Sequence, residues 1–126
     1  MITGIGVDIV EVADIERRLR RETFVNIFSD AERAHADSLP LQRAEIFAAR
    51  FAAKEAFGKA LGTGLRIGWN LRDIAVVNDG NGRPHLELGP ALKELLPPGA
   101  TVHVSLSHIK THAVAVVVIE EVAEST

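Results

Sequence analysis

Cysteine is absent from the 126-residue chain. That excludes disulfide scaffolds, cysteine–zinc sites and thiol catalysis. An excess of basic charge is also missing: 14 lysines and arginines stand against 17 acids, for a net charge of −3. A protein whose main work is coating nucleic acid is therefore not expected. No apolar run approaches the roughly 20 residues that span a bilayer. There is no repeat, no low-complexity segment and no long linker. Met1–Asp8 lacks a basic stretch and carries an early acid, so it does not read as a signal peptide. These absences predict a cytosolic protein with one domain over residues 1–126, without membrane or nucleic acid as partner. Hydrophobic residues supply 47% of the chain, enough for a core.

Residues 2–10 read as a strand with Ile5, Val7 and Ile9 on one face and Gly4, Gly6, Asp8 and Val10 on the other. Residues 11–21 read as a short amphipathic helix with Val12, Ile15 and Leu19 as its apolar stripe. Ser29-Asp30-Ala31-Glu32 is a capping box and starts another helix. Residues 41–61 form the longest helix, rich in alanine and therefore packed on more than one side; Gly62-Thr63-Gly64 ends it. Strands follow at 71–78 and 84–88 around the turn Asp79-Gly80-Asn81-Gly82. A short helix at 90–96 precedes strands at 101–107 and 113–121. The class is α+β, with the last four strands pairing antiparallel.

Two carboxylates stand out. Asp8 lies in an apolar strand, where an unpaired charge is costly. The glycines upstream on its face leave space that suits a ligand. A helix cap or an arginine pair would also account for it. Glu55 shares a helical face with Ala48, Phe51, Ala52 and Lys59. A solvated Glu55–Lys59 pair, worth about 0.3 kcal/mol, is the plain alternative. Taken together, one Asp on a strand and one Glu on a packed helix suit magnesium. That ion takes one or two carboxylates and completes its shell with water and phosphate oxygens.

The surroundings fit a phosphate. Lys59 lies one turn beyond Glu55, next to Gly62-Thr63-Gly64, and Arg50 and Lys54 lie one turn apart on another face. Surface charge and a helix cap are their plain readings. Ser105, Ser107 and His108 end a strand without a nucleophile elbow, so they bind phosphate or backbone rather than attack. Arg17, Arg18, Arg20 and Arg21 face outward together, opposite the apolar stripe. Four arginines in five residues exceed what a helix end needs, and they point to an acidic macromolecular partner.

Gly4-Ile5-Gly6-Val7-Asp8-Ile9-Val10-Glu11, the run from Arg50 to Gly64, Gly82-Arg83-Pro84, and Val104-Ser105-Leu106-Ser107-His108 with the following strand resemble the holo-acyl-carrier-protein synthases in order along nearly the whole chain. The resemblance implies a small phosphopantetheinyl-transferase-like fold, an antiparallel sheet packed on a long central helix. It implies transfer of 4′-phosphopantetheine from coenzyme A to a serine of an acyl carrier protein, giving holo-carrier protein and adenosine 3′,5′-bisphosphate. It implies a homotrimer with active sites between subunits. Asp8 and Glu55 then fall on magnesium ligands, and Lys59 on a pyrophosphate contact. Arg50, Lys54, Gly62, Thr63, Gly64, Ser105, Ser107 and His108 fall in the coenzyme A region. Arg17, Arg18, Arg20 and Arg21 fall where the acidic helix of the carrier is gripped. Glu55 or a water of the metal's shell would take the serine proton. A non-catalytic module binding an acidic protein, or a magnesium-dependent nucleotide hydrolase, would each leave half of these features idle.

Overall fold

A run rich in β-branched residues, interrupted by Gly4, Gly6 and Asp8, makes the ten-residue strand β1 (Ile2–Glu11). The computed structural model describes residues 1–66 and 68–122. Helix α1 (Val12–Arg18) follows directly and buries Val12 and Ile15. It stops three residues earlier than its apolar stripe predicts. The chain turns at Leu19–Arg21 and enters the short α2 (Glu22–Val25), which brings Phe24 edge-on to Phe28. The capping box forms as read: Ser29 Oγ accepts from the Glu32 amide, and the Glu32 carboxylate accepts from the Ser29 amide, opening α3 (Asp30–Asp37). Pro40–Gln42 make one 3₁₀ turn, so α4 spans Arg43–Ala60 instead of 41–61.

The 18 residues of α4 run through the middle of the molecule, and its alanines let other segments approach on several sides. It ends in a Schellman motif: the Gly62 amide bonds the Lys59 carbonyl, the Thr63 amide bonds the Gly58 carbonyl, and Gly62 has φ +83°. A second 3₁₀ turn, Leu71–Asp73, shortens the next strand to β2 (Ile74–Asn78). The Asp79 carboxylate closes the hairpin to β3 (Pro84–Leu88) by accepting from the Asn81 and Arg83 amides. Helix α5 (Pro90–Lys93) is a single turn, shorter than expected, before β4 (Ala100–His108) and β5 (His112–Glu121).

Two antiparallel sheets form instead of one. The larger has the order β1-β5-β4, and β2-β3 stand apart. On the face toward α4, Gly4, Gly6, Asp8 and Val10 sit opposite the buried Ile119, Val117, Ala115 and Ala113. On the other face, Ile5, Val7 and Ile9 lie beside Val118, Val116 and Val114. That face lacks a covering layer, and Ile5, Val7 and Ile9 are 61%, 53% and 66% exposed. The fold is α+β, with antiparallel sheets packed on a long helix. Among the described residues, no helix is long and apolar enough to cross a membrane.

Candidate active site

Asp8, Glu55 and Lys59 meet because β1 is pressed against α4. A Cβ on Gly4 would collide with the Ala60 carbonyl, and one on Gly6 with the Ala56 carbonyl. The space these glycines leave is thus filled by helix backbone and not by a ligand. Their effect is indirect: two bare residues let the strand touch the helix, and Asp8, next on that face, arrives beside the last turns of α4. Lys59 Nζ then donates to Asp8 Oδ1 at 2.9 Å and to the Val7 carbonyl at 3.0 Å. The local Glu55–Lys59 pair is not the one formed. Asp8 is 15% exposed and caps no helix; its partner is a lysine.

Asp8, Glu55 and Lys59 line one cavity of about 590 Å³ together with Phe51, Asp14, Arg17 and Arg18. The Glu55 carboxyl is raised above its ordinary range, first by burial and then by the Asp8 charge; Lys59 and Arg18 pull it back. Two carboxylates that line one cavity are residues that could hold a cation. Among the described residues, no group of three or more His, Asp or Glu gathers to cage an ion. The donor set therefore fits a hard ion that draws its remaining ligands from phosphate and water.

The four arginines do not act as one face. Leaving the helix at Arg18 sends Arg20 and Arg21 in different directions. Arg17, Arg18 and Arg21 wall a groove of about 640 Å³ whose floor is Phe24 and Ile27. Arg20 lines a separate cleft with Glu16, Leu41 and Lys110. Asp14 holds Arg17 through Oδ1 and Arg18 through Oδ2, both at 3.2 Å. The groove and the carboxylate cavity share Asp14, Arg17 and Arg18, so they adjoin each other. Phe24, Ile27 and Phe51 were not singled out from the sequence. The signal was there, in apolar residues at helical spacing just beyond an arginine cluster, but it also described a core.

A second cavity, of about 250 Å³, lies on another side of α4 and is lined by Arg50, His35, Gln42, Asn78, Pro84 and His108 among others. Arg50 is 6% exposed, yet among the described residues its Nε has no partner. A buried donor left open is a place for an anion. Burial, and then Arg50, lower His35 below the ordinary histidine value. His108 Nδ1 lies 3.7 Å from Glu45.

One expected donor contact, Lys54, is corrected, and two others have surroundings that the sequence did not show. Lys54 is wholly buried: its ammonium donates to Glu32 and to the Leu71 and Ile74 carbonyls at 2.8, 2.8 and 2.6 Å, which uses all three N–H groups. It has no hand free for a ligand. The amides of Gly62, Thr63 and Gly64 are taken by the end of α4 and offer no phosphate cradle. Ser105 and Ser107 sit on the uncovered face of the sheet, across from Val116 and Val114, and line neither cavity of the single chain.

A model of the 4′-phosphopantetheinyl transferase superfamily matches residues 4–117. A holo-[acyl-carrier-protein] synthase of Treponema denticola is 52% identical over 123 residues, covering 95% of this chain and 99% of that protein. The crystal structure of a holo-(acyl-carrier-protein) synthase from Bacillus anthracis in complex with CoA (3′,5′-ADP) is 41% identical with a TM-score of 0.81, covering 97% of this chain and 99% of that one. The Neisseria meningitidis synthase is 34% identical with a TM-score of 0.83, covering 96% and 100%.

Proposed function

The chain belongs to the 4′-phosphopantetheinyl transferase superfamily, and from that premise we propose that it moves the phosphopantetheine arm of coenzyme A onto a serine of an apo-acyl carrier protein. The observation that carries the reading is the meeting of Asp8, Glu55 and Lys59 in a cavity adjoining an arginine-walled groove. The serine oxygen attacks the β-phosphorus in line. The bond from that phosphorus to the bridging oxygen breaks, and the oxygen leaves with adenosine 3′,5′-bisphosphate.

Asp8 and Glu55 would hold magnesium. When bound, the ion supplies positive charge that orients the pyrophosphate and neutralises the leaving oxygen. Lys59 adds a second positive charge on the Asp8 side. Glu55, or a water in the same cavity, is the group placed to accept the serine proton. Arg50 Nε and His108 suit another phosphate of the donor. The basic groove with its Phe24–Ile27 floor suits an acidic amphipathic helix of the carrier. All of this takes place in the cytoplasm.

The Arg50 and Glu55 cavities share no lining residue. The two residues lie about 140° apart around α4. One coenzyme A molecule reaches both types of wall when they come from different copies of the chain. The uncovered stripe of Ile5, Val7, Ile9 and Val116 gives those copies a surface on which to meet, consistent with a homotrimer.

The test is direct. The protein is incubated with coenzyme A, magnesium and apo-carrier protein, and the intact mass of the carrier is taken. Addition of one phosphopantetheine is expected, with loss of transfer in Asp8→Ala and Glu55→Ala. Consumption of coenzyme A without carrier modification would mean hydrolysis, and carrier binding without either reaction would sink the enzyme reading.

A further inference from the structure

We propose that Arg18 is a donor-binding residue of the transfer site, its guanidinium holding phosphate oxygens of coenzyme A beside Glu55, in contrast to Arg21, which serves docking alone. The proposal rests on the transfer reading above. Arg18 stands between the groove and the carboxylate cavity and lines both, whereas Arg21 lines only the groove. Its guanidinium carbon is 5.8 Å from the ring centroids of both Phe24 and Phe51, and its Nε faces Asp14 Oδ2 at 3.2 Å. Two rings and one carboxylate thus surround the guanidinium of a side chain that is 51% exposed, and its terminal amino groups are open. Among the described residues, neither terminal nitrogen has an acceptor. Arg17 differs: its own terminal nitrogen is on Asp14 Oδ1, and among the described residues it lies over no ring.

Position supplies the rest. Phe51 lies one turn before Glu55 on α4, so the ring under Arg18 places the guanidinium one turn from the carboxylate. The Arg18 charge is felt at Glu55. A pyrophosphate lodged at Asp8 and Glu55 has two flanks. Lys59 enters from the β1 side, already bonded to Asp8 and the Val7 carbonyl. Arg18 enters from the α1 side. A planar fork with paired donors matches two phosphate oxygens.

The experiment measures coenzyme A binding by calorimetry in magnesium buffer, without carrier, and carrier binding separately. Arg18→Met keeps the stem against the rings and removes the donors. It is expected to weaken coenzyme A binding about tenfold or more, the worth of one charged hydrogen bond. Arg21→Met is expected to leave that affinity alone while weakening carrier binding. Weakened coenzyme A binding supports the proposal whatever happens to carrier affinity. Unchanged coenzyme A binding in Arg18→Met overturns it and makes Arg18 a docking charge. Should Arg18→Met fail to fold, as circular dichroism would reveal, Arg18→Lys decides. Charge without the fork must still cost several-fold in affinity, and wild-type affinity overturns the assignment. Failure of the wild-type protein to bind coenzyme A would instead sink the transfer reading itself.

Discussion

Glu55 is a carboxylate on which burial and a like charge act in the same direction. Its folded pKa is raised above the ordinary 4.5. The metal-free fold therefore holds a proton there at pH values where the unfolded chain has released it. Stability contributed by this site is present at low pH and is lost as pH rises from about 4.5 through the folded pKa. Metal competes with that proton. Apparent magnesium affinity is therefore expected to fall on acidification, starting at a higher pH than for an ordinary glutamate, and titrations of magnesium at stepped pH would detect it. Glu55→Gln removes the burdened charge. The metal-free variant should be at least as stable as the parent at pH 7 in denaturant unfolding, and marked destabilisation would contradict the account. Lys54 carries the opposite lesson. Read along the helix, it was a cation one turn from Arg50 and a plausible donor contact. Its true partner, Glu32, is 22 residues away, and the pair is sealed from solvent. Lys54→Met leaves Glu32 charged and unpaired, for a loss of about 3–5 kcal/mol. Adding Glu32→Gln should recover part of that loss in a double-mutant cycle.

At the scale of elements, the contact of β1 with α4 builds the site. Gly6→Ala would drive a Cβ into the Ala56 carbonyl and force the strand away from the helix. The expected cost is about 1–3 kcal/mol of stability, with transfer activity falling further than stability because Asp8 and Glu55 separate. A variant that keeps full activity would show that the close approach is unnecessary. Most elements were legible from local chemistry. The capping box, the Asp79–Gly82 turn and the glycine end of α4 all formed as read. Boundaries were less legible. Helix α1 ends at Arg18 because packing Phe24 against Phe28 and Phe51 requires the chain to turn, and no residue near Arg18 announces that. The 3₁₀ turns at Pro40–Gln42 and Leu71–Asp73 trimmed a helix and a strand for similar reasons.

For the whole molecule, the uncovered sheet face is the outstanding surface. Val7 and Val116 sit opposite each other at its centre, 53% and 37% exposed. Val7→Lys places a charge there without touching the core. If copies of the chain meet on this face, sedimentation should register a shift toward single chains and transfer should fall with it. An unchanged assembly would place the interface elsewhere.

The sequence by itself determined the order of elements, the α+β class and the faces of β1. These follow from periodicity and turn chemistry, which act over a few residues. The tertiary structure alone decided the pairings. Lys59 passed over Glu55, four residues away, for Asp8, 51 residues away. Lys54 left the surface for Glu32, and the arginines divided between two clefts. Each outcome depends on how elements distant in the chain lie against one another, and a charge settles where that packing puts an opposite charge or an open carbonyl within reach.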